Sequence, residues 1–174
     1  MSGQRVFGVT GWKNSGKTTL VERLVAEFVR RGLRVATVKH AHHAVDIDRP
    51  GTDSFRHRAA GATEVALVGG ARFAILREQA EPTLNEVLAR LAPADIVLIE
   101  GYKQEPHLKI EVRSDHERPW LAKDDKAIVA IASDVKPADV ALPWFRRDDV
   151  ASIADFIASR LGVALEADRP VMSR

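Results

Sequence analysis

The sequence contains no cysteine, which sets aside several kinds of functional site. A disulfide framework, a thiolate zinc site, an iron–sulfur cluster and a cysteine nucleophile all require the missing residue. Aromatic residues are also scarce, at 6% of the chain, and no run of Lys and Arg is longer than a pair. Because a dedicated nucleic-acid binder shows a basic stripe with interleaved aromatic side chains, that class of protein is disfavoured.

Long hydrophobic runs are missing as well. None approaches the roughly 20 residues needed to cross a bilayer, and residues 1–9 are too short and too polar for a signal peptide. Charge is nearly balanced, with 26 Lys and Arg against 24 Asp and Glu. The length of 174 residues suits one domain. We therefore expect a cytoplasmic protein with neither a membrane nor a nucleic acid as its partner.

Hydrophobic periodicity predicts strands that alternate with helices. The predicted strands are 6–10, 34–38, 64–68, 72–77, 95–100, 108–112 and 127–132. The predicted helices are 18–31, 52–60, one that follows the capping box at 83–86, and 149–161. This alternation predicts a three-layer α/β/α fold with a mostly parallel sheet, and Gly69-Gly70 predicts a β-hairpin extension around residues 64–77.

The turn after the first predicted strand matches the Walker A pattern at every fixed position, as Gly11-Trp-Lys-Asn-Ser-Gly16-Lys17-Thr18. Its two fixed glycines permit backbone conformations and a close approach that a Cβ atom would block. Backbone amides can then surround a β-phosphate together with the N-terminus of the following helix. These amides belong to Lys13, Asn14, Ser15, Gly16, Lys17 and Thr18.

Three side chains of this motif have predicted roles. Lys17 reaches the β- and γ-phosphates, the Thr18 hydroxyl completes the shell of a Mg²⁺ ion, and Thr19 bonds the α-phosphate. We therefore expect residues 1–165 to form a single P-loop nucleotide-binding domain. Residues 166–174 carry little hydrophobicity and are expected to be a flexible tail.

A carboxylate is expected beside the P-loop to order the hydration shell of Mg²⁺. The most hydrophobic run of the chain, 95–100, ends in Glu100, whose long side chain indicates contact through water, although an ordinary charge at a strand end is the alternative. Gly101 follows, and its amide is placed to approach a γ-phosphate. No residue stands out as a catalytic base, and Glu100 is the one candidate for a catalytic role.

Further motifs follow the P-loop in a fixed order. They are His40-Ala-His42-His43, then Asp46 and Asp48, Pro50-Gly-Thr-Asp53-Ser54-Phe-Arg56, Ala60-Gly61-Ala62, Glu100-Gly101-Tyr102-Lys103 and Lys109-Ile-Glu111-Val-Arg113. Together with the P-loop, this ordered series resembles the molybdopterin-guanine dinucleotide biosynthesis protein B family. The resemblance extends to about residue 132. It implies a homodimeric, Mg²⁺-dependent GTP-binding protein with weak GTPase activity. Such a protein acts as an adapter beside a guanylyltransferase when GMP is attached to molybdopterin.

The resemblance gives the loop that follows the second strand a possible role as a switch near the γ-phosphate. Asp46 or Asp48 can contact the Mg²⁺ shell, and Asp48 is the one we assign to the metal. His40, His42 and His43 can bind a pterin phosphate or a metal such as zinc or molybdate, or be merely solvated. Asp53 and Arg56 fit the start of a helix whose arginine faces a bound anion. An ordinary helix cap and a surface charge explain the same two residues nearly as well.

Preference for GTP over ATP follows from the resemblance alone. The base-reading Asn-Lys-x-Asp element is absent, and Asp134 is the nearest substitute carboxylate, although a turn residue at a strand end explains it equally well. A small-molecule kinase is the alternative function, because kinases close an arginine-bearing lid over the phosphates. The arginines that keep this alternative open lie between the P-loop and Glu100 and include Arg56, Arg58, Arg72 and Arg77.

Overall fold

The computed structural model describes residues 4–41, 48–114 and 118–165. Its strands in this part of the chain are β1 (Val6–Thr10), β2 (Val35–Lys39), β3 (Glu64–Gly69), β4 (Arg72–Arg77), β5 (Ile96–Glu100), β6 (Lys109–Arg113), β7 (Ile128–Ser133) and β8 (Trp144–Phe145). Its α-helices are α1 (Lys17–Arg30), α2 (Asp53–Ala59), α3 (Leu84–Arg90) and α4 (Val150–Leu161). Most bounds lie within a residue of those predicted, and only the short strand β8 was not predicted.

Six parallel strands form the main sheet, in the order β2-β5-β1-β6-β7-β8. Strand β1 therefore lies between β5 and β6, and the register pairs Val9 with Glu100. Because every strand of the sheet points the same way, all of their carboxyl ends meet at one edge. This arrangement places the segment after β1 beside the ends of β5, β6 and β7, and it confirms the predicted α/β fold class.

The hydrophobic core lies between one face of this sheet and the helices α1 and α4. Residues at helical spacing on α1 turn inward, and Leu24 and Phe28 are fully buried. Helix α4 contributes Ile153 and Ile157 to the same cluster, which also contains Phe7 of β1. A second cluster on Ile128 and Ile131 of β7 includes Trp120. Among the described residues, no helix is long and apolar enough to span a bilayer.

The chain divides into two compact units, one formed by the residues up to His40 and from Val87 onwards, the other by Ala41–Glu86. The second unit contains α2 and the predicted hairpin, in which β3 and β4 pair as antiparallel strands from Glu64 with Arg77 to Gly69 with Arg72. Four large hydrophobic side chains of the hairpin are exposed: Leu67, Val68, Phe73 and Ile75. The hairpin prediction is thus confirmed, with an apolar surface that the unit itself does not cover.

The close contact of Gly8 with its neighbours gives a test of core packing. A Cβ atom on Gly8 would lie 2.5 Å from Nε2 of His107 and 2.8 Å from Cγ of Lys109. Lys109 is buried, and its ammonium is held by hydrogen bonds to the carbonyl of Lys103 and the carboxylate of Asp125. We therefore expect Gly8→Ala to lower the free energy of unfolding by about 1–3 kcal/mol, the usual cost of overpacking. Urea denaturation followed by circular dichroism measures this difference.

Gly69 offers a matched control, because it also lies in a strand and a Cβ atom there meets open space. We expect Gly69→Ala to change the free energy of unfolding by no more than about 1 kcal/mol. Equal stabilities of the two variants would contradict the packing assigned to Gly8.

Candidate functional site

The turn between β1 and α1 has the backbone conformation that its glycines were predicted to permit. Gly11 and Gly16 have φ angles of +148° and +94°, and Asn14 has φ of +64°. A Cβ atom on Gly11 would collide with the carbonyl oxygen of Val112 and lie 2.6 Å from Oγ of Ser15. The loop therefore requires glycine at residue 11, for both conformation and space.

Helix α1 begins directly after this loop. Gly16 is its N-cap residue and provides no side-chain hydrogen bond to the first turn. The first amides of a helix have no partner within the helix, and the helix dipole makes this end partially positive. Lys17, Thr18 and Thr19 supply these amides at the carboxyl edge of the sheet. A phosphate group is the chemistry that such an end accepts most readily.

Lys17 lies within a group of positive charges. Its Nζ donates a hydrogen bond to the carbonyl oxygen of Trp12 at 2.6 Å, so the side chain folds back over its own loop. Burial lowers the pKa of Lys17, and repulsion from Lys103 and Lys39 lowers it further, while the charge of Glu100 acts in the opposite direction. An anion with several oxygens would relieve this repulsion.

Two predicted metal-site residues from distant parts of the chain meet at this loop. Oγ1 of Thr18 donates to Oε1 of Glu100 at 2.8 Å, and Glu100 is 9% exposed. Nζ of Lys39 lies 3.3 Å from the same carboxylate oxygen and 3.4 Å from the Thr18 hydroxyl. A hydroxyl beside a carboxylate suits Mg²⁺, which keeps several waters and takes its other ligands from phosphate oxygens.

The described residues contain no cluster of three or more His, Asp or Glu side chains that would hold a metal by themselves. A divalent ion at Thr18 and Glu100 would therefore depend on water and on a bound phosphate for its remaining ligands. This dependence is characteristic of Mg²⁺ in nucleotide sites rather than of a structural metal.

Gly101 and His40 lie against each other beside Glu100. A Cβ atom on Gly101 would be 3.1 Å from Cβ of His40, and Gly101 has φ of +95°. The amide of His40 donates to the carbonyl of Glu100 at 2.9 Å, and the His40 ring lies 4.5 Å from that of Tyr102. His40 is thus fixed at the end of β2. The other predicted members of its loop, His42, His43 and Asp46, lie outside the described residues.

Three further predicted residues belong to the second unit. The carboxylate of Asp48 accepts hydrogen bonds from the hydroxyls of Thr52 and Ser54 and pairs with Arg58 at 3.4 Å. The bond from Ser54 is the main cause that lowers the pKa of Asp48. Asp53 and Arg56 form an exposed ion pair on α2, 3.9 Å apart. Their predicted roles toward metal, partner or cofactor remain predictions.

Trp12 was not predicted to have a role, and the structure surrounds it with cations. Its Nε1 donates to the carbonyl of Pro119 at 3.0 Å. The ammonium of Lys103 and the guanidinium of Arg118 lie 4.8 Å and 5.3 Å from the centre of a Trp12 ring. These contacts anchor the variable part of the P-loop. The only sequence signal for these contacts of Trp12 was an aromatic residue at a variable position of the Walker A motif.

Asp134, the predicted base-reading carboxylate, lies beside the P-loop. It accepts hydrogen bonds from Nε and Nη2 of Arg147 at 2.8 Å and 2.5 Å. Nη1 of the same guanidinium would be 3.1 Å from a Cβ atom on Gly16. The surrounding cavity has a volume of about 300 Å³ and is lined by Gly16, Thr19, Leu20, Arg23, Val112, Asp134, Arg147 and Asp148. Arg147 was not among the predicted site residues.

Comparison with known proteins places this geometry in a family. Residues 6–134 match the family model described as "Molybdopterin guanine dinucleotide synthesis protein B" (MobB). A "Molybdopterin-guanine dinucleotide biosynthesis adapter protein" from Haemophilus influenzae is 36% identical over 159 residues, which cover 90% of this chain and 89% of that protein. Its namesake from Escherichia coli is 35% identical over 159 residues, 87% of this chain and 90% of that protein.

Solved structures with the same family name share the fold. The MobB homologue from Bacillus stearothermophilus superimposes with a TM-score of 0.70 at 31% identity, covering 91% of this chain and 99% of the other. The Bacillus subtilis MobB structure has a TM-score of 0.72 at 27% identity and covers 90% of this chain and 98% of the other. The similarity therefore extends over both the sequence and the architecture.

Proposed function

The chain belongs to the MobB family of molybdopterin guanine dinucleotide synthesis proteins, and from this membership and its P-loop we propose that it is a Mg²⁺-dependent GTP-binding adapter. Membership supports an adapter role in the biosynthesis of molybdopterin guanine dinucleotide. The partners we propose are a guanylyltransferase and molybdopterin, in the cytoplasm. The single observation that carries the nucleotide part is the Thr18–Glu100 pair at the start of α1.

The geometry supports a triphosphate with its metal. The Gly11–Thr18 loop and the start of α1 offer amides to the phosphates. Among the described residues, Lys17 has a single hydrogen bond, to Trp12, to break before it can reach them. Thr18 and Glu100 then face the coordination positions of the metal that the phosphates leave open. Mg²⁺, when bound at Thr18 and Glu100, would neutralise phosphate charge.

The same geometry favours slow hydrolysis. Glu100 already accepts from Thr18 and is paired with Lys39, so its carboxylate is positioned to order water on the metal rather than to remove a proton from an attacking water. An adapter that retains its nucleotide is consistent with these contacts.

Calorimetric titration of GTP and ATP, each with and without Mg²⁺, tests the proposal. We expect GTP to bind, Mg²⁺ to tighten the complex, and ATP to bind at least about tenfold more weakly, a difference of about 1.4 kcal/mol. Failure of GTP to bind under all four conditions would overturn the nucleotide part. Rapid transfer of labelled phosphate from the nucleotide to a small-molecule acceptor would favour the kinase alternative.

The exposed hairpin supports the homodimer that the resemblance implies. Val68 and Phe73 are cross-strand partners and are 84% and 75% exposed. Exposed apolar side chains on a two-stranded sheet are characteristic of an interface. We expect the wild-type chain to be a dimer at micromolar concentration, and Phe73→Ser to shift it toward monomer. Size-exclusion chromatography with light scattering measures the mass.

Val29→Ser is the matched control for this prediction, because Val29 is a 56% exposed hydrophobic residue on α1 rather than on the hairpin. It should leave the dimer intact. A wild-type monomer at micromolar concentration would contradict the proposed assembly, and dissociation caused equally by both variants would show that the hairpin is not the interface.

A further inference from the structure

The cavity beside Gly16 contains a carboxylate and a guanidinium that are arranged to bind a planar polar ligand. Asp134 follows β7 and Arg147 follows β8, and these neighbouring parallel strands bring both side chains to the edge where α1 begins. Leu20 and Val112, both buried, contribute the apolar part of the lining. At about 300 Å³ the cavity is at the small end of ligand sites.

We propose that Arg147 and Asp134 act together to read the guanine base, so that Arg147 determines the preference for GTP. This inference rests on the proposed function, because it concerns the base of the same nucleotide. Arg147 donates to O6 and N7 of the base, and Asp134 accepts from N1–H and the N2 amino group.

The hydrogen-bonding capacity of the pair fits this assignment. Asp134 uses only Nε and Nη2 of Arg147, so Nη1 lies outside the ion pair and beside Gly16 of the P-loop. Each carboxylate oxygen of Asp134 accepts one bond from Arg147 and has a further lone pair for a ligand. The pair therefore offers donors and acceptors side by side.

Guanine has the complementary pattern and adenine does not. Guanine presents acceptors at O6 and N7, which an arginine fork binds in a bidentate manner, beside donors at N1 and N2. Adenine has an acceptor at N1, which would face the carboxylate, and a donor at N6, which would face the guanidinium. Mismatched groups in a partly enclosed site are left unpaired, and this is the basis of discrimination.

The surroundings keep both groups charged and in place. The hydrogen bond from Arg147 is the main cause that lowers the pKa of Asp134, so the carboxylate is ionised at neutral pH. The neighbouring Arg146 belongs to a separate exposed pair with Asp148, at 3.1 Å. Because Arg146 and Arg147 have different partners, comparing a variant of each separates the specific role of Arg147 from the effect of positive charge alone.

The test is the affinity of Mg²⁺–GTP, Mg²⁺–ATP and Mg²⁺–XTP for five proteins, measured by calorimetry. They are the wild type and the variants Arg147→Ala, Arg147→Lys, Asp134→Asn and Arg146→Ala. We expect Arg147→Ala to weaken GTP binding about tenfold to a hundredfold, as expected for one bidentate base contact, and to change ATP binding less than about threefold. Arg147→Lys keeps the charge without the fork and should recover the GTP affinity only in part. Arg146→Ala should change neither.

Asp134→Asn gives an independent readout. An amide can donate to the O2 carbonyl of xanthine, where guanine carries its amino group. We expect this variant to lose affinity for GTP and gain affinity for XTP, a reversal that a merely misfolded protein would not show. Weaker binding without the reversal would overturn the role given to Asp134.

The possible failures are distinguishable. If the wild type binds neither GTP nor ATP, the proposed function fails and this inference fails with it. If GTP binds but Arg147→Ala weakens GTP and ATP equally, or changes neither, only the base-reading role is overturned. Circular dichroism of each variant identifies a loss of fold, in which case Arg147→Lys and Asp134→Asn decide the outcome.

Discussion

Lys17→Ala is expected to weaken GTP binding by a factor of at least about 100 while the fold is retained. Two charge-assisted hydrogen bonds from its ammonium to the β- and γ-phosphates would be lost, and at about 1.5 kcal/mol each they account for that factor. The only hydrogen bond the side chain makes to the described residues is to Trp12 of its own loop. Burial is the main cause of the lowered pKa of Lys17, and removal of the lysine also relieves the repulsion with Lys103 and Lys39 that lowers this pKa further.

Calorimetry gives the affinity, and thermal unfolding followed by circular dichroism reports whether the fold is intact. Lys126→Ala is a suitable control, because Lys126 is an exposed lysine that precedes β7, at the amino-terminal edge of the parallel sheet. The Lys126→Ala substitution removes the same charge at the opposite edge of the sheet from the P-loop. Unchanged GTP affinity in Lys17→Ala would refute the assignment of the site.

Glu100→Gln is expected to remove most of the effect of Mg²⁺ on GTP binding. Glutamine keeps an oxygen that can accept the hydrogen bond from Thr18, but it has no negative charge for the metal's waters or for Lys39. Loss of a carboxylate that acts through water lowers metal affinity about tenfold to a hundredfold. Titration of Mg²⁺ into the protein at saturating GTP measures this change.

GTP affinity without the metal provides the internal reference, because Glu100→Gln should leave it unchanged or strengthen it as negative charge near the phosphates decreases. Glu22→Gln on the exposed face of α1 is the matched control and should behave as the wild type. Retention of the full Mg²⁺ effect in Glu100→Gln would show that this carboxylate does not order the metal.

The architecture was largely predictable because local signals agreed with the tertiary structure. Strand β1 and the helix after it carry a hydrophobic period that matches their burial, and Gly11 and Gly16 mark the turn between them. Thr83 and Glu86 likewise form the predicted capping box, with hydrogen bonds in both directions. The two-residue strand β8 has too little pattern to be predicted, since it exists by pairing with β7.

The candidate site was predictable only where a motif fixes a residue's position. The Walker A loop and the hydrophobic run that ends in Glu100 bring Thr18 and Glu100 together as expected. Lys39 and Arg147 carry no such signal, because each reaches the site from the end of a strand whose place is set by sheet order. Lysine and arginine are common at strand ends, so the role of these two depends on which strands are neighbours.

Trp12 gives the protein an optical probe of its own. The chain has three tryptophans, and only Trp12 lies in the P-loop; Trp120 is buried near Ile131, and Trp144 donates to Ser133. Indole emission responds to nearby charge and to water, and Trp12 has Lys103 and Arg118 over its rings. Movement of either cation toward a phosphate would change its fluorescence. Stopped-flow measurements on the unlabelled chain can therefore follow how fast the loop responds.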